Sequence, residues 1–424
     1  MKLSEELKER GFIAQHTGEN LSAVLDGERR TIYHGIDPSA DSAHAGNLVI
    51  WMLLRHLNNA GHKIIFLVGG GTGMIGDPKP DSERVLQDEK TVARNVDRIK
   101  AQARRLIGGD KNITFVNNAD WLLKQPLINF LRDIGKHFTV NELIKKEAIA
   151  ARVGSEQGIS YTEFAYPLLQ AFDYLQLNER YGCDLQVGGS DQWGNIVAGV
   201  DLIRRKKQRT VHALTVPLVI DKATGKKFGK SEGNAVWLDP KKTSPYAFYQ
   251  FWLNTSDESV IDYLKLFTFV PLDEIANIEK EFVQNKGNRL AQKSLAFEVT
   301  KFVHGENLAL ASAKVSGLLF GGAEASALSA AEKEMLLQNA PSYSDFAGKK
   351  LFEALVGAGL ASSNREAREF VQRGAVTLNG KKLEDPEMKL DISKPTILKR
   401  GKKNLVVLTA VKASGGGWLS KLFS

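Results

Sequence analysis

The chain has 424 residues, 43% of them hydrophobic and 25% charged, an ordinary globular balance that excludes wholesale disorder and a collagen-like chain. Two or three compact units are expected at that length. No apolar run approaches the roughly 18 residues of a membrane-crossing helix, and one cysteine, Cys183, excludes an internal disulfide or a multi-cysteine zinc site. The net charge of +8 is lopsided: from residue 341 onward 15 Lys+Arg face 8 Asp+Glu, a net of +7, which leaves +1 for the first 340 residues. A basic appendage on a nearly neutral body suits a polyanionic partner, although a solubilising basic surface would look the same.

The first residues, MKLSEELKERG, alternate charges on a helical period and resemble neither a secretory signal nor, with three glutamates, a transit peptide. A reducing, cytoplasmic compartment fits. Residues 31–36 form a short β-like run, residues 48–59 carry helical apolar spacing, and residues 64–68 are a continuous apolar run ending in Gly69-Gly70-Gly71, the pattern of a strand buried on both faces. A charged helix is expected at 89–106, a strand at 113–116, further helices to about 177, a strand at 184–187, a helix at 195–205 and a strand at 211–220. Strands separated by helices predict an α/β fold with a doubly wound, Rossmann-like parallel sheet, whose ligands bind beyond the carboxyl ends of the strands. Helical periodicity follows at 245–253, 260–267, 272–284 and 289–304. Residues 321–347 read as a connector or partly helical linker. Beyond them two short helices, at 351–356 and 366–373, and the Asn379-Gly380 turn signal a small α+β unit over 348–410. The expected division is therefore 1–225, 226–320, the linker 321–347, the unit 348–410, and a tail 411–424.

Two clusters carry the chemistry. Tyr33-His34-Gly35-Ile36-Asp37-Pro38-Ser39 leaves the first strand and leads through His44-Ala45-Gly46-Asn47 into a helix, whose N-terminal N–H groups can receive a phosphate. Lys226-Lys227-Phe228-Gly229-Lys230-Ser231 is a lysine-rich loop suited to phosphate charge that develops in a transition state. It is not a Walker A loop, because Gly225 and Gly229 enclose three residues where four are needed. Each cluster alone is a weak signal.

Together they resemble class I aminoacyl-tRNA synthetases. With Gly69–Pro78, Tyr166-x3-Gln170-x2-Asp173 and Gly188–Asn195 they resemble the bacterial-type tyrosyl-tRNA synthetase family, in order over about residues 1–410. That resemblance implies tyrosine as amino acid, ATP as a substrate accompanied by Mg²⁺ without a dedicated protein metal site, tRNA(Tyr) as acceptor, a cytoplasmic homodimer and no membrane. It assigns Tyr33 and Asp173 to the phenol hydroxyl, and Asp77, Tyr166 and Gln170 to the ammonium group, with Gly35 and Gln192 also at the substrate. Asp37, Ser39, His44, Gly46, Asn47, Gly189 and Asp191 fall at ATP or the adenylate. Lys227, Lys230, Ser231 and Arg84 fall at the pyrophosphate. In this chain His34 stands where a cysteine is common, Ser39 where threonine is common, and Asn47 where a second histidine is common. Lys79 lies in a segment about one residue shorter than usual. Residues 363–380 resemble the S-four-type RNA-binding domain, leaving Arg365, Arg368, Arg373, Lys381 and Lys382 for phosphates. The patch Arg204–Arg209 is a second basic stretch, equally readable as a solvated helix end. A tryptophan ligase is the nearest rival; an indole presents only a donor, which pairs poorly with a Tyr33–Asp173 site.

Overall fold

The structure is a computed structural model describing all residues except 109–111, 157, 224, 226, 227, 229, 232, 233, 322–327, 393, 394, 402, 403 and 410–424, together with the side chains of 230, 231, 234 and 321. The expected tail 411–424 and Lys227 therefore lie outside the described residues. Two compact units emerge, Met1–Lys242 with Ser256–Gln284, and Thr243–Thr255 with Asn285–Ser424.

The first unit is built on a six-stranded sheet: β1 (Gln15–His16), β2 (Thr31–Ile36), β3 (Lys63–Val68), β4 (Ile113–Asn117), β5 (Leu185–Gly189) and β6 (His212–Val216), in spatial order 1-6-5-2-3-4. All neighbours pair in parallel except β1 on β6. The chain runs outward from β2 through β3 to β4, then returns to place β5 on the other side of β2. The crevice between β2 and β5 is thus the topological switch point, the usual ligand site of such sheets. Tyr33 pairs with Ile65 on one side and Gln186 on the other. Residues 64–68 are buried throughout, as their unbroken apolar run predicts.

Helices cover the sheet. The Leu48–Asn59 helix matches its expected bounds, Glu89–Ile107 runs one residue longer at its C-terminal end, and Trp193–Lys207 runs two residues longer at each end. The Tyr166–Tyr181 helix starts with Pro167 in its first turn and stops at Gly182, whose φ of 66° is the left-handed cap that glycine adopts without strain. One strand is shorter than its apolar run: β6 ends at Val216 because Pro217 has no N–H to continue the ladder.

In the second unit the helices Pro245–Leu253, Leu290–His304, Glu306–Gly321 and Ala330–Asn339 precede a five-stranded sheet. The sequence gives little sign of Glu306–Gly321, whose Ala, Ser, Gly and Leu mixture lacks a clear polar face. Ala330–Asn339 lies inside the expected connector and begins with a reciprocal capping box between Ser329 and Glu332. The central strands Thr396–Arg400 and Asn404–Leu408 alternate sides. Ile397, Leu405 and Val407 pack with Tyr246, Val315, Leu319 and Leu336, while Leu398, Val406 and Leu408 pack with Leu351, Leu355, Ala367 and Val371. Period-two alternation therefore joins this sheet to two separate cores.

Candidate active site

Four strands of the first sheet end at the same pocket. The chain leaving β2 brings Asp37, the chain leaving β3 brings Gly69–Asp77, β4 leads into Asn118 and Trp121, and β5 into Ser190–Gln192. Across from them the Tyr166–Tyr181 helix presents Tyr166, Gln170 and Asp173, spaced four and then three residues so that they share a face.

At the deep end Tyr33 and Asp173 are 1% and 2% exposed. Trp121 Nε1 donates to one Asp173 oxygen at 2.7 Å and Asn118 Nδ2 to the other at 2.9 Å. These two donors fix the carboxyl group but offset only part of its burial, which pushes its pKa up to about 7. Burial also raises Tyr33 well above the ordinary phenol value, and the nearby Asp173 charge adds to it. The Tyr33 ring lies 5.7 Å from that of Tyr174. Gly35 keeps this space open, since a Cβ there would meet the Tyr33 hydroxyl at 3.4 Å.

A hydrogen-bond chain runs outward from this end. Asn118 Nδ2 also donates to Thr72 Oγ1 at 2.9 Å, Thr72 donates to Asp37 Oδ1 at 2.7 Å, and the Tyr166 hydroxyl donates to Asp37 Oδ2 at 2.8 Å. Gly69 is required here: a Cβ would stand 2.2 Å from Asp37 Oδ1 and 2.3 Å from Thr72 Oγ1. Asp77 is gripped at both oxygens, by Gln192 Nε2 at 2.7 Å and Asn195 Nδ2 at 3.1 Å. Burial lifts its pKa to about 6, the two amides oppose that, and Asp37 adds to it. Asp37 is raised mainly by burial too. Three acids thus line one pocket with their charges under-compensated, an environment that stabilises an incoming cation. Gln170 Oε1 and Gln186 Oε1 are buried without a protein hydrogen-bond partner, so the pocket also offers acceptors.

At the outer end the geometry is more open. His44 and Asn47 form a capping box: Gly46 N–H donates to His44 Nδ1, and His44 N–H donates to Asn47 Oδ1, both at 3.0 Å. With Nδ1 accepting, neutral His44 carries its proton on Nε2 as a donor. Gly46 permits the turn, because a Cβ would lie 2.9 Å from the His44 ring. Asn47 thus performs a local capping role that an amide suits. Asp191 and Ser39 are exposed, and Gly189 allows the Asp191 carboxylate to curl back to where a Cβ would sit 2.4 Å away. Arg84 Nε donates to the Asp77 carbonyl at 2.7 Å. Lys230 and Ser231 lie on a two-residue strand paired with Asn234–Ala235; their side chains, like all of Lys227, fall outside the description. The segment after this loop is tied to the histidine turn: Ala45 N–H donates to the Val236 carbonyl at 2.7 Å and Leu238 N–H to the Ala43 carbonyl at 2.9 Å. His34 belongs to the sheet. It is buried, its Nδ1 lies 3.2 Å from the Val187 carbonyl, and burial lowers its pKa to about 4.

Sequence reasoning missed Thr72, Asn118, Trp121, Gln186 and Asn195 as pocket residues. Asn117-Asn118 follows a strand's carboxyl end directly, which was the available signal. In the second unit Arg365, Arg368 and Arg373 lie on or just after the Asn364–Gln372 helix, with Lys381 and Lys382 on an exposed strand. Glu369 pairs with Arg365 and Arg373, and Glu387 pairs with Arg368, so this face is less positive than its arginine count.

Residues 26–321 match the family model of class I tRNA synthetases (W and Y), and residues 332–408 match the tyrosine–tRNA ligase SYY-like C-terminal domain. A tyrosine–tRNA ligase of Streptococcus mutans is 49% identical over 422 residues, 96% of this chain and all of the relative; one of Streptococcus equi subsp. zooepidemicus is 48% identical over the same shares. Among solved structures, a C-terminally truncated mitochondrial tyrosyl-tRNA synthetase of Aspergillus nidulans superimposes with a TM-score of 0.68 at 32% identity, covering 75% of this chain and 94% of that one. A tryptophanyl-tRNA synthetase of Encephalitozoon cuniculi, at 17% identity and a TM-score of 0.55 over 74% and 89% of the chains, shares the fold alone.

Proposed function

The chain belongs to the class I tRNA synthetases for tryptophan and tyrosine, and within them to the tyrosine–tRNA ligases; on that footing we propose how its own residues divide the work. The Asp173 carboxylate, held by Asn118 and Trp121 beside Tyr33, is the observation that carries the reading. A carboxylate can only accept and a phenol can donate, so a para-hydroxyl group satisfies this end where a phenyl ring leaves it unpaired. Asp77, Tyr166 and Gln170 receive the substrate ammonium group, whose charge suits the acidic pocket.

The tyrosine carboxylate oxygen then attacks the ATP α-phosphorus. An O–P bond forms, the bond to the bridging oxygen breaks, and pyrophosphate leaves. Asp37, Ser39, Gly46, Gly189 and Asp191 border the nucleotide, while His44, Asn47 and the adjoining helix start meet its phosphates. Arg84, Lys227, Lys230 and Ser231 are assigned to the departing pyrophosphate. Mg²⁺ enters with ATP as part of that substrate and supplies charge neutralisation on its phosphates. No side chain becomes covalently modified; catalysis is positioning and charge stabilisation. A hydroxyl of the tRNA(Tyr) terminal ribose next attacks the tyrosyl carbonyl carbon, forming the ester and releasing AMP.

In this division of labour residues 1–225 form the catalytic domain, 226–320 the lysine loop and helical domain, and 348–410 the RNA-binding domain, with Arg365, Arg368, Arg373, Lys381 and Lys382 on phosphates. A homodimer is supported by apolar side chains concentrated at 123–144, where Leu127, Ile128 and Val140 are each more than 60% exposed. No helix among the described residues is long and apolar enough to cross a membrane; the use of ATP and tRNA supports a cytoplasmic setting. Amino-acid-dependent pyrophosphate exchange into ATP tests the core of the proposal. Exchange is expected with tyrosine and not with tryptophan or phenylalanine, and the reverse order would sink it.

A further inference from the structure

Residues 76–88 lead from the Thr72–Met74 turn after β3 to the Glu89–Ile107 helix, carry both Asp77 and Arg84, and contain no helix or strand. Just beyond Arg84, Val85 and Leu86 are 91% and 64% exposed, before Gln87 donates to the Ser39 carbonyl at 2.8 Å and Asp88 caps the next helix. Gln192 and Asn195 hold Asp77 at the start of the loop, and its middle, from Lys79 to Arg84, is held by two charged side chains, Arg152 and Glu163, only 3% and 2% exposed.

Arg152 Nε donates to the Gly158 carbonyl at 3.0 Å, and its Nη1 reaches the Lys79 carbonyl at 3.5 Å and Glu163 Oε2 at 3.4 Å. Glu163 Oε1 accepts the backbone N–H of Arg84 at 3.1 Å, and Arg84 Nε donates to the Asp77 carbonyl at 2.7 Å. The contacts run continuously from Asp77 through Arg84, Glu163 and Arg152 to Lys79, stapling the segment between Asp77 and Arg84. The helices carrying the pair, Glu147–Val153 and Tyr161–Phe164, lie outside the nucleotide-binding turns. A buried ion pair is a poor source of net stability, because desolvating two charges cancels most of their attraction and an apolar pair packs the space as well. An apolar pair cannot, however, accept the Arg84 N–H or donate to the Lys79 carbonyl.

We propose that Glu163 and Arg152 are positioning residues for the phosphate end of the reaction, holding the Arg84 loop so that its guanidinium meets the departing pyrophosphate. This rests on the assignment of Arg84 to pyrophosphate. Neither residue touches the reacting atoms, and their influence passes through Arg84.

The test uses the full-length chain with three variants: Arg84→Ala, the paired replacement Arg152→Met with Glu163→Leu, and all three changes together. Glu163→Gln is a fourth, conservative variant, which keeps the acceptor for Arg84 N–H. Pyrophosphate exchange gives the rate and the KM for ATP and pyrophosphate, equilibrium dialysis gives tyrosine affinity, and thermal melting monitored by circular dichroism gives folding. The paired replacement is expected to melt near the parent, bind tyrosine within about twofold, and lose about 10- to 100-fold in exchange rate, the scale of an ångström-level misplacement. Glu163→Gln is expected to keep most of the activity. Adding Arg84→Ala to the pair should cause no further loss, because residues acting through one group are not additive. Losses that multiply, a paired variant within about threefold of the parent, or a parallel fall in tyrosine affinity would overturn the proposal. Arg84→Ala with unimpaired exchange would overturn it through its premise, and the paired variant's own rate would then show whether the loop matters apart from that arginine.

Discussion

The two ends of the pocket are built on opposite principles. At the deep end every relevant atom is buried and fixed before a ligand arrives: Asp173 between Trp121 and Asn118, Tyr33 against Tyr174. At the outer end Ser39 and Asp191 are exposed, Arg84 lies on a loop without regular structure, and the backbone of Lys230 lies on a two-residue strand. A hydroxyl must be told from a hydrogen by a site that is rigid and dry, since only then does an unpaired polar group carry its full penalty. Phosphates arrive highly charged and leave during the reaction, so what serves them is positive charge placed where theirs develops.

That contrast is easiest to break at Asp173. Asp173→Ala is expected to lower kcat/KM for tyrosine about 100-fold or more, because it removes the acceptor and strands two buried donors. The KM for ATP should move less than about threefold; equal losses in both would mean the ends are not separate. Lys230→Ala should show the mirror image, with the rate of activation falling by about 100-fold and tyrosine affinity unchanged by equilibrium dialysis.

Proton linkage gives a smaller, graded effect. Asp77, at about 6, must ionise to hold an ammonium ion. Tyrosine affinity should therefore rise steeply with pH below about 6, where both Asp77 and Asp173 must ionise, by up to about tenfold per unit between about 6 and about 7 as Asp173 ionises, and level off above that. Asp77→Asn should flatten the curve as well as lower it. The sign for folding is opposite. Carboxyl groups whose folded pKa is raised bind more protons folded than unfolded, so Asp77 and Asp173 contribute stability that is lost as pH rises from about 4 through about 7, while His34 and His56, both lowered to about 4 by burial, contribute stability that grows as pH rises from about 4 to about 6.5. Denaturant melts of the parent and of Asp173→Asn at pH 5 and pH 8 isolate the carboxyl part; the parent should lose more stability, or gain less, than the variant between the two, and equal changes would contradict the burial of Asp173.

Smallest of all, Arg365→Glu with Arg373→Glu should raise the KM for tRNA several-fold, more at low salt, and leave pyrophosphate exchange unchanged. Both arginines already share Glu369, which is why only a modest change is expected.

Sequence patterns reveal these regions unequally. Strand ends point to the pocket, and the family resemblance picks out Tyr166, Gln170 and Asp173, whose spacing puts them on one helix face because periodicity is a local property. The helix bounds at 48–59, 245–253, 260–267 and 272–284 agree with the structure for the same reason. Asn118 has only its place at the end of a strand to mark it, and Trp121 not even that, since their partner Asp173 is more than fifty positions away. Glu163 likewise reads as an ordinary polar position in a short helix, and its burial depends on contacts across the fold. The arginines at 365–373 look freer in sequence than they are, because Glu387, the partner of Arg368, comes from another segment.

The strands at 396–400 and 404–408, with one row of side chains on the Tyr246–Leu336 core and the other on the Leu351–Val371 core, make the basic module an integral floor of its own unit. Cutting the chain near residue 340 would bare the greasy surface formed by Val315, Leu319 and Leu336. A shortened enzyme would therefore clump unless those positions were made polar, and any gene fusion meant to transplant the module must carry the preceding helices with it.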